Sequence, residues 1–122
     1  MSSKILLFLF CALAAFENAA AQSDTVLVRE HLTAITKTDG YRNYKNLRVL
    51  NEVADYIHRV FEKYADTTFY QEYRVKGSTY KNVVCRFGSS INRPLMIVGA
   101  HYDVCGDQEG ADDNASAVAA LL

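Results

Sequence analysis

Apolar residues recur at helical spacing in two segments of the first half of the chain. Within 24–37 they fall three and four positions apart, and Asp24 stands where an N-cap is needed. Within 46–64 a longer apolar stripe does the same, and charged residues occupy the opposite side. The two patterns predict two amphipathic helices, which are separated by a polar break that contains Gly40.

The character of the sequence then changes to that of strands. Segments 67–75 and 80–87 are rich in aromatic and β-branched residues and flank a glycine-containing turn, which predicts a hairpin. The run 95–100 is apolar without polar alternation, which is typical of a strand buried on both faces. Segment 114–122 begins a further helix. Together these elements predict an α/β fold with a mixed sheet, in the order of helices, hairpin, buried strand and the start of the next helix.

The first 21 residues have the three parts of a secretory signal peptide. Lys4 gives a positive start, Ile5–Phe16 is an apolar run, and Ala19–Ala21 offers the small residues of a cleavage site. A membrane anchor is the alternative, but a bilayer-spanning helix needs about 20 apolar residues and this run is shorter. We therefore expect a cleavable signal peptide at 1–21, a secreted or periplasmic protein, and no stable membrane anchor.

Residues 22–122 are expected to form one incomplete domain. They contain no internal repeat, low-complexity segment or linker, and the final helix has neither a C-cap glycine nor a cationic last turn. An apolar helix without an end is typical of a truncated sequence, so we expect 22–122 to be the N-terminal portion of a larger domain. The formal net charge of −1 argues against a nucleic-acid partner, which would need a basic excess.

Four isolated residues are given no functional role from the sequence. His31 and His58 lie on predicted helices, where a single histidine is most often a surface or boundary residue. Cys85 and Cys105 remain after signal cleavage and could pair in an oxidising compartment, although the sequence does not establish that they are within reach. For Cys105 a soft zinc ligand is an alternative, and a small half-buried side chain is the simpler interpretation.

Ionisable side chains follow the apolar run directly. In GAHYDVCGDQEGADDN, residues 99–114, one histidine and five carboxylates stand close together. Ligand sites in open α/β sheets gather beyond the carboxyl ends of the strands, and His101 falls at that place. A neutral imidazole is a common zinc ligand, and its second nitrogen needs a partner that fixes the tautomer. Asp103 is two residues on, so in extended backbone its side chain points the same way and can hold the imidazole.

A second cluster, GADDN at 110–114, lies where the loop returns to start a helix. The carboxylate of Asp113 has two oxygens and can bridge two metal ions about 3.5–4 Å apart. The alternative is that Asp112 or Asp113 is a plain helix N-cap, because a helix N-terminus favours negative charge. The combination of a buried strand, His-x-Asp and this acidic helix start is more specific than any of its parts.

The segment GAHYDVCGDQEGADDNASAVAALL closely resembles the strand–loop–helix of the co-catalytic zinc exopeptidases of metallopeptidase family 28, the aminopeptidase S and aminopeptidase Y relatives. The resemblance is sharp over 95–122 and looser over 24–94. It implies the mixed-sheet, phosphorylase/hydrolase-like fold of these enzymes. By position it makes His101 a ligand of one zinc and Asp113 the carboxylate that bridges both. It also makes Asp103 a catalytic residue, which orients the histidine. The family also holds the peptide bond after the bridging aspartate in cis.

The activity that this resemblance implies is hydrolysis of a terminal peptide bond, with a peptide as the substrate. Two zinc ions hold a water or hydroxide, lower its pKa and polarise the scissile carbonyl, and a glutamate serves as general base. In relatives the base and the remaining ligands come from loops beyond position 122. We therefore expect a zinc aminopeptidase for the complete parent protein, and an inactive chain here because two ligands are too few for a zinc site.

Several alternatives stay open at this point. Carboxypeptidase-type relatives and single-zinc glutaminyl cyclases share the early histidine, although the cyclases usually have serine where Asn114 follows Asp113. A non-enzymatic scaffold on the same fold tends to lose the metal ligands, and a calcium loop would need six to eight oxygens. Asp107 and Glu109 could receive a substrate's α-amino group, and a solvated acidic loop is the simpler interpretation. The sequence leaves the preferred terminal residue and the oligomeric state open.

Overall fold

The structure is a computed structural model that describes residues 24–88 and 94–122. The predicted signal peptide at 1–21 lies outside the described residues, and no helix within them is long and apolar enough to cross a membrane. In chain order the elements are helices α1 (Thr25–Thr36) and α2 (Leu47–Phe61), strands β1 (Thr67–Val75) and β2 (Ser78–Arg86), a kinked turn (Ala111–Ala115) in which Asp113 and Asn114 have non-helical backbone angles, and helix α3 (Ser116–Leu121).

Both predicted amphipathic helices are confirmed, and each begins at a side-chain cap. The Asp24 carboxylate accepts hydrogen bonds from the amides of Val26 and Leu27 at the start of α1. The Asn46 side chain accepts from the Val49 amide at the start of α2. These bonds satisfy amide groups that have no partner within the first turn of a helix. Helix α2 ends at Phe61, three residues before the end of its predicted range.

The described core lies where the three helices meet. Ile35 of α1, Val53 and Ile57 of α2, and Ala115 and Val118 at the C-terminal end of the chain form one buried cluster. The apolar stripes of α1 and α2 are therefore buried where they meet this cluster, whereas Val26 and Leu27 at the start of α1 are 65% and 38% exposed. The loop that precedes α3 is fixed against the N-terminal helices as a consequence.

The predicted hairpin is also confirmed. Strands β1 and β2 are antiparallel, with Val75 opposite Ser78 at the turn and Thr67 opposite Arg86 at the open end. The two turn residues, Lys76 and Gly77, have φ of 50° and 86°. Positive φ at both central positions is the type I′ geometry, whose twist matches that of paired strands. The described chain therefore combines helices with a two-stranded antiparallel sheet and is a small α/β structure.

The prediction of a buried strand at 95–100 is wrong for this structure. The segment forms no strand, and Leu95, Met96, Ile97 and Val98 are 80%, 84%, 84% and 69% exposed. A strand needs neighbours that accept and donate its backbone hydrogen bonds. The sheet within 24–88 and 94–122 consists of β1 and β2 alone, so it is antiparallel rather than mixed and pairs with no part of this run.

A polar cluster attaches the hairpin to α2. The Asp55 carboxylate accepts hydrogen bonds from the Tyr70 hydroxyl at 2.8 Å and from Lys81 Nζ at 2.7 Å. Lys81 Nζ also lies 4.1 Å from the centre of the Tyr70 ring, and the His58 ring stacks on the same tyrosine. The hydrogen bond from Lys81 lowers the pKa of Asp55, and burial is the main cause that raises the pKa of Tyr70 to about 12.

This cluster gives the stability of the protein a defined dependence on acid. Because the folded pKa of Asp55 is lowered, its contribution is present above the unfolded pKa of about 4 and is lost as the pH falls through the folded value. We expect Asp55→Asn to reduce the free energy of unfolding at pH 7 by about 1 kcal/mol or less, since the carboxylate is partly exposed. The free energy of unfolding of this variant should also fall less steeply than that of the wild type as the pH is lowered. Urea denaturation at a series of pH values measures both effects.

The matched control is Gln71→Ala, which changes an exposed side chain of the same hairpin without removing a titrating group. It should keep the wild-type pH dependence. If the free energy of unfolding falls as steeply with decreasing pH in Asp55→Asn as in the wild type, Asp55 does not contribute in this way.

Candidate functional site

The segment 101–113 forms a loop that packs against the break between α1 and α2. Val104 is buried, and its amide donates a hydrogen bond of 3.1 Å to the carbonyl of Arg42. Gly110 has φ of 56° and precedes the kinked turn at Ala111–Ala115, where the Asp113–Asn114 peptide bond is cis as the resemblance implies. The two ends of the loop, which carry the proposed ligands, are brought together by this return of the chain.

The imidazole of His101 and the carboxylate of Asp113 face each other. His101 Nε2 lies 3.0 Å from Asp113 Oδ1, although the residues are twelve positions apart. The two side chains are 50% and 76% exposed, so the pair is open to solvent and to ligands. The structure therefore brings together the two residues that were predicted from sequence as metal ligands.

Asp103 faces the other nitrogen of the same ring. His101 Nδ1 lies 3.2 Å from the Asp103 carbonyl oxygen and 3.3 Å from Asp103 Oδ1. Both oxygens are acceptors, so a proton on Nδ1 satisfies this side of the ring. Asp103 thus occupies the position expected of a residue that fixes the imidazole tautomer.

The surroundings of the imidazole suit a cation at Nε2. A neutral imidazole carries one N–H, so it can donate towards Asp103 or towards Asp113 and presents a lone pair on the other side. With the proton on Nδ1, the Nε2 lone pair of His101 faces the carboxylate of Asp113 at 3.0 Å. Two electron-rich groups in this arrangement are stabilised by a positive ion that both can contact.

The donor set fits zinc in kind but is small in number. Two ligands of a tetrahedral zinc ion, each about 2.0–2.2 Å from it, lie about 3.3–3.6 Å apart, close to the separation of His101 Nε2 and Asp113 Oδ1. Across residues 24–88 and 94–122 no group of three or more histidine, cysteine or acidic side chains converges to hold a metal ion. A zinc ion held by this pair would need further donors from elsewhere.

The alternative of a plain N-cap finds no support in the helix geometry. The kinked turn begins after Gly110 and α3 begins after Ala115, and neither start has a side-chain cap. The Asp113 carboxylate is directed to His101 instead. The serine of α3 that could cap it, Ser116, donates to the Asp112 carbonyl.

Asp107 and Glu109, two further acids of the loop, contact the N-terminal segment. Lys37 Nζ lies 2.7 Å from Glu109, and Asn43 donates to Asp107 at 3.2 Å and to the Gly106 carbonyl at 2.9 Å. The Lys37–Glu109 pair is exposed and is expected to add little to stability by itself. These contacts hold the acidic loop against the N-terminal segment. They direct the carboxylates of Asp107 and Glu109 to different partners, whereas the carboxylates of a calcium-binding loop converge on one ion.

Arg42 and Tyr102 were not singled out from the sequence, and both hold the loop. Arg42 is 1% exposed and donates to several carbonyls of the loop. The Tyr102 hydroxyl donates to the Lys81 carbonyl, and burial raises the pKa of this tyrosine to about 12. Arg42 lies in a polar segment, and the sequence pattern of such a segment predicts a solvent-exposed arginine. Nothing in the sequence indicates that its side chain points inwards.

The histidines and cysteines outside the pair stay apart from it. His31 is buried and its Nδ1 lies 2.7 Å from the Tyr56 hydroxyl, which is a packing role on α1 and α2. Cys85 and Cys105 are free thiols, the first half-buried and the second exposed. Among the described residues, Cys105 therefore has neither a disulfide partner nor a place in a metal cluster.

Comparisons with known proteins support a family for the segment that carries the site. Residues 82–122 match the family model described as Peptidase family M28, which supports a relationship to that family for this part of the chain. Peptidases of this family are generally zinc-dependent. The matched segment begins in β2 and includes the whole of the loop from His101 to Asp113.

One relative among curated proteins extends the similarity towards the N-terminus. The chain is 40% identical over 96 residues to the uncharacterized protein YfbL of Escherichia coli (strain K12). The aligned part is 72% of this chain and 29% of that protein, so the chain spans less than a third of the length of its relative. No solved structure gives a significant match.

The close packing around Gly110 predicts a strong effect of one methyl group. A Cβ on Gly110 would overlap the Val104 side chain and lie 2.6 Å from the Asp113 carbonyl oxygen. We expect Gly110→Ala to cost about 1–2 kcal/mol for its left-handed backbone and about 1–3 kcal/mol more for the overlap. The free energy of unfolding in urea measures the sum.

Gly106 is the matched control, since it lies in the same loop with φ of 75° and a Cβ there would meet nothing within 4 Å. Gly106→Ala should therefore show the backbone cost alone. Equal losses in the two variants would contradict the packing that the structure gives to Gly110.

Proposed function

We propose that this chain is the N-terminal part of an exported, zinc-dependent exopeptidase of the aminopeptidase type, which hydrolyses terminal peptide bonds with two zinc ions. The observation that carries the proposal is the 3.0 Å approach of His101 Nε2 to Asp113 Oδ1. Two residues at opposite ends of a loop converge with metal-binding atoms towards each other, inside the segment that matches peptidase family M28.

Each residue of the site has a distinct task in this proposal. His101 and Asp113 would hold zinc, with Asp113 able to bridge two ions through its two oxygens. Zinc, when bound, acts as a Lewis acid on the scissile carbonyl and lowers the pKa of water. Asp103 holds the proton on Nδ1 of His101, so that Nε2 keeps its lone pair free for the metal.

The proposal includes a larger parent protein, which would supply the general base and the other ligands. The Escherichia coli relative is more than three times as long as the aligned segment, because that segment is 29% of it. The exposed apolar run at 95–98 is a second support. Exposed apolar residues in series without strand partners are the pattern expected when neighbouring strands come from another part of the protein. Within residues 24–88 and 94–122 only two donors are brought together, so we expect this chain by itself to be inactive.

Related functions are distinguished by metal content and by substrate. Two zinc ions per complete protein are expected for the peptidase, one for a glutaminyl cyclase and none for a non-enzymatic scaffold. A carboxypeptidase would also hold two, and it would cleave peptides with a blocked amino terminus. The experiment is therefore a metal analysis of the purified complete protein followed by tests on amino-blocked and carboxyl-blocked peptides.

Removing the proposed bridging carboxylate should abolish turnover. We expect Asp113→Asn in the complete protein to lower kcat/KM for an aminoacyl anilide by more than about 100-fold, beyond the 10–100-fold typical of residues that only orient a ligand. A chelator should remove the activity of the wild type, and added zinc should restore it. Asp39→Asn is the matched control, since that carboxylate is 94% exposed and lies outside the site.

Chelator-insensitive turnover would contradict the proposal. So would an Asp113→Asn variant as active as Asp39→Asn. If the complete protein binds two zinc ions and cleaves only amino-blocked peptides, the aminopeptidase part of the proposal is wrong and the metallopeptidase part stands.

Export is proposed from the pattern of the first 21 residues. When the protein is expressed in a secreting host, we expect it to be recovered outside the cytoplasm with Gln22 as its first residue, because the small residues at 19–21 form the cleavage site. Mass spectrometry of the recovered protein gives the N-terminus. An uncleaved protein that stays in the cytoplasm would contradict this part of the proposal.

A further inference from the structure

Arg42 is a cation buried among carbonyl groups. It lies between α1 and α2, is 1% exposed, and donates four hydrogen bonds within the described residues, all to backbone carbonyl oxygens. Nε donates to the Tyr102 carbonyl at 2.6 Å, and Nη2 donates to the Gly110 carbonyl at 2.7 Å. Nη1 donates to the carbonyls of Ile35 and Glu109.

Three of these carbonyls, those of Tyr102, Glu109 and Gly110, belong to the two ends of the loop that carries the candidate site, and the fourth, that of Ile35, belongs to α1. Tyr102 is the residue between His101 and Asp103, and Gly110 stands three positions before Asp113. The backbone of Arg42 adds a further contact, because its carbonyl accepts from the Val104 amide at 3.1 Å. Arg42 therefore forms hydrogen bonds with the backbone at both ends of the loop. Between the two proposed ligands this loop forms no strand or α-helix.

The chemistry of the side chain suits this task better than a lysine would. A guanidinium group is planar, keeps its charge at any ordinary pH and presents five donors in a fixed fork. The nearby charge of Asp103 offsets part of the cost of burying Arg42, whose pKa is lowered by its burial. A buried charge is retained only when its donors are satisfied, so the carbonyls must keep these positions as long as Arg42 stays inside.

We propose that Arg42 is a positioning residue that sets the distance between His101 and Asp113. Among the described residues its side chain forms no hydrogen bond to the side chain of either residue, and it acts through the backbone at Tyr102 and Gly110. The consequence for metal binding rests on the function proposed above, whereas the consequence for the loop itself does not. The proposal is therefore tested by one measurement without metal and one with it, both on the complete protein.

The metal-free measurement is amide hydrogen exchange followed by mass spectrometry. In Arg42→Lys, which keeps the charge and loses the fork, peptides covering 99–115 should exchange about tenfold faster or more, while peptides of α2 keep their wild-type rates. Arg48→Lys is the matched control. Arg48 is exposed, pairs with Asp39 and Glu52, and should leave both regions unchanged.

The second measurement is zinc affinity by competition with a chromogenic chelator. We expect Arg42→Lys and Arg42→Ala to weaken binding about 10–100-fold, as is typical when support for a metal ligand is removed. Methylguanidinium at low millimolar concentration should restore most of the affinity of Arg42→Ala, because it can occupy the space between the carbonyls. Methylammonium should restore none, and neither compound should affect Arg48→Ala.

The outcomes separate this proposal from the proposed function. Wild-type exchange over 99–115 in Arg42→Lys would overturn the positioning role. Equal acceleration in α2 would overturn it too, since Arg42 would then stabilise the fold in general. If the wild-type protein binds no zinc, the proposed function fails and the exchange measurement still decides the role of Arg42. Faster exchange confined to the loop, with guanidinium-specific rescue of zinc binding, supports the proposal.

Discussion

The guanidinium group of Arg42 donates from the interior to backbone carbonyls on both sides of the loop from Tyr102 to Gly110. This loop has few hydrogen bonds of its own, and the Val104 amide bonds to Arg42 as well. Because a buried cation must replace its lost hydration with protein acceptors, the carbonyls are held as firmly as the arginine is. The conformation of the loop, and with it the approach of His101 to Asp113, depends on this set of bonds.

The core determines where Arg42 lies. Ile35 and Val53 bring α1 and α2 together, and Val118 closes the cluster from the C-terminal side of the loop. Both ends of the loop are thus fixed by packing, one at the buried Val104 and the other at the buried Ala115. Glu109 adds an exposed ion pair with Lys37 at the rim. Helices that pack through apolar side chains therefore position two exposed polar groups that are twelve residues apart.

The features predicted correctly are those that depend on neighbours in the sequence. Asp24 and Asn46 precede apolar stripes and cap their helices, and the glycine-containing turn between β-branched segments forms a hairpin. The histidine and aspartates of the loop were chosen because of their residue types and spacing. The structure places His101, Asp103 and Asp113 together, and their role as metal and catalytic residues stays a prediction.

The features that were not predicted depend on distant contacts. The run 95–98 has the composition of a buried strand, but composition does not supply the neighbours that a strand needs, and these residues are exposed here. The position of Arg42 inside the molecule follows from the packing of α1, α2 and the loop, which no local pattern reveals. For the same reason the count of metal donors cannot be read from the motif alone.

The central claim is that the side chains of His101 and Asp113 bind one ion. Crystals of the complete protein grown with zinc would test this most directly, through anomalous scattering measured on both sides of the zinc absorption edge. The account predicts an anomalous peak about 2.0–2.2 Å from both His101 Nε2 and an oxygen of Asp113. Zinc bound elsewhere in the molecule, with these two side chains turned away from each other, would contradict it.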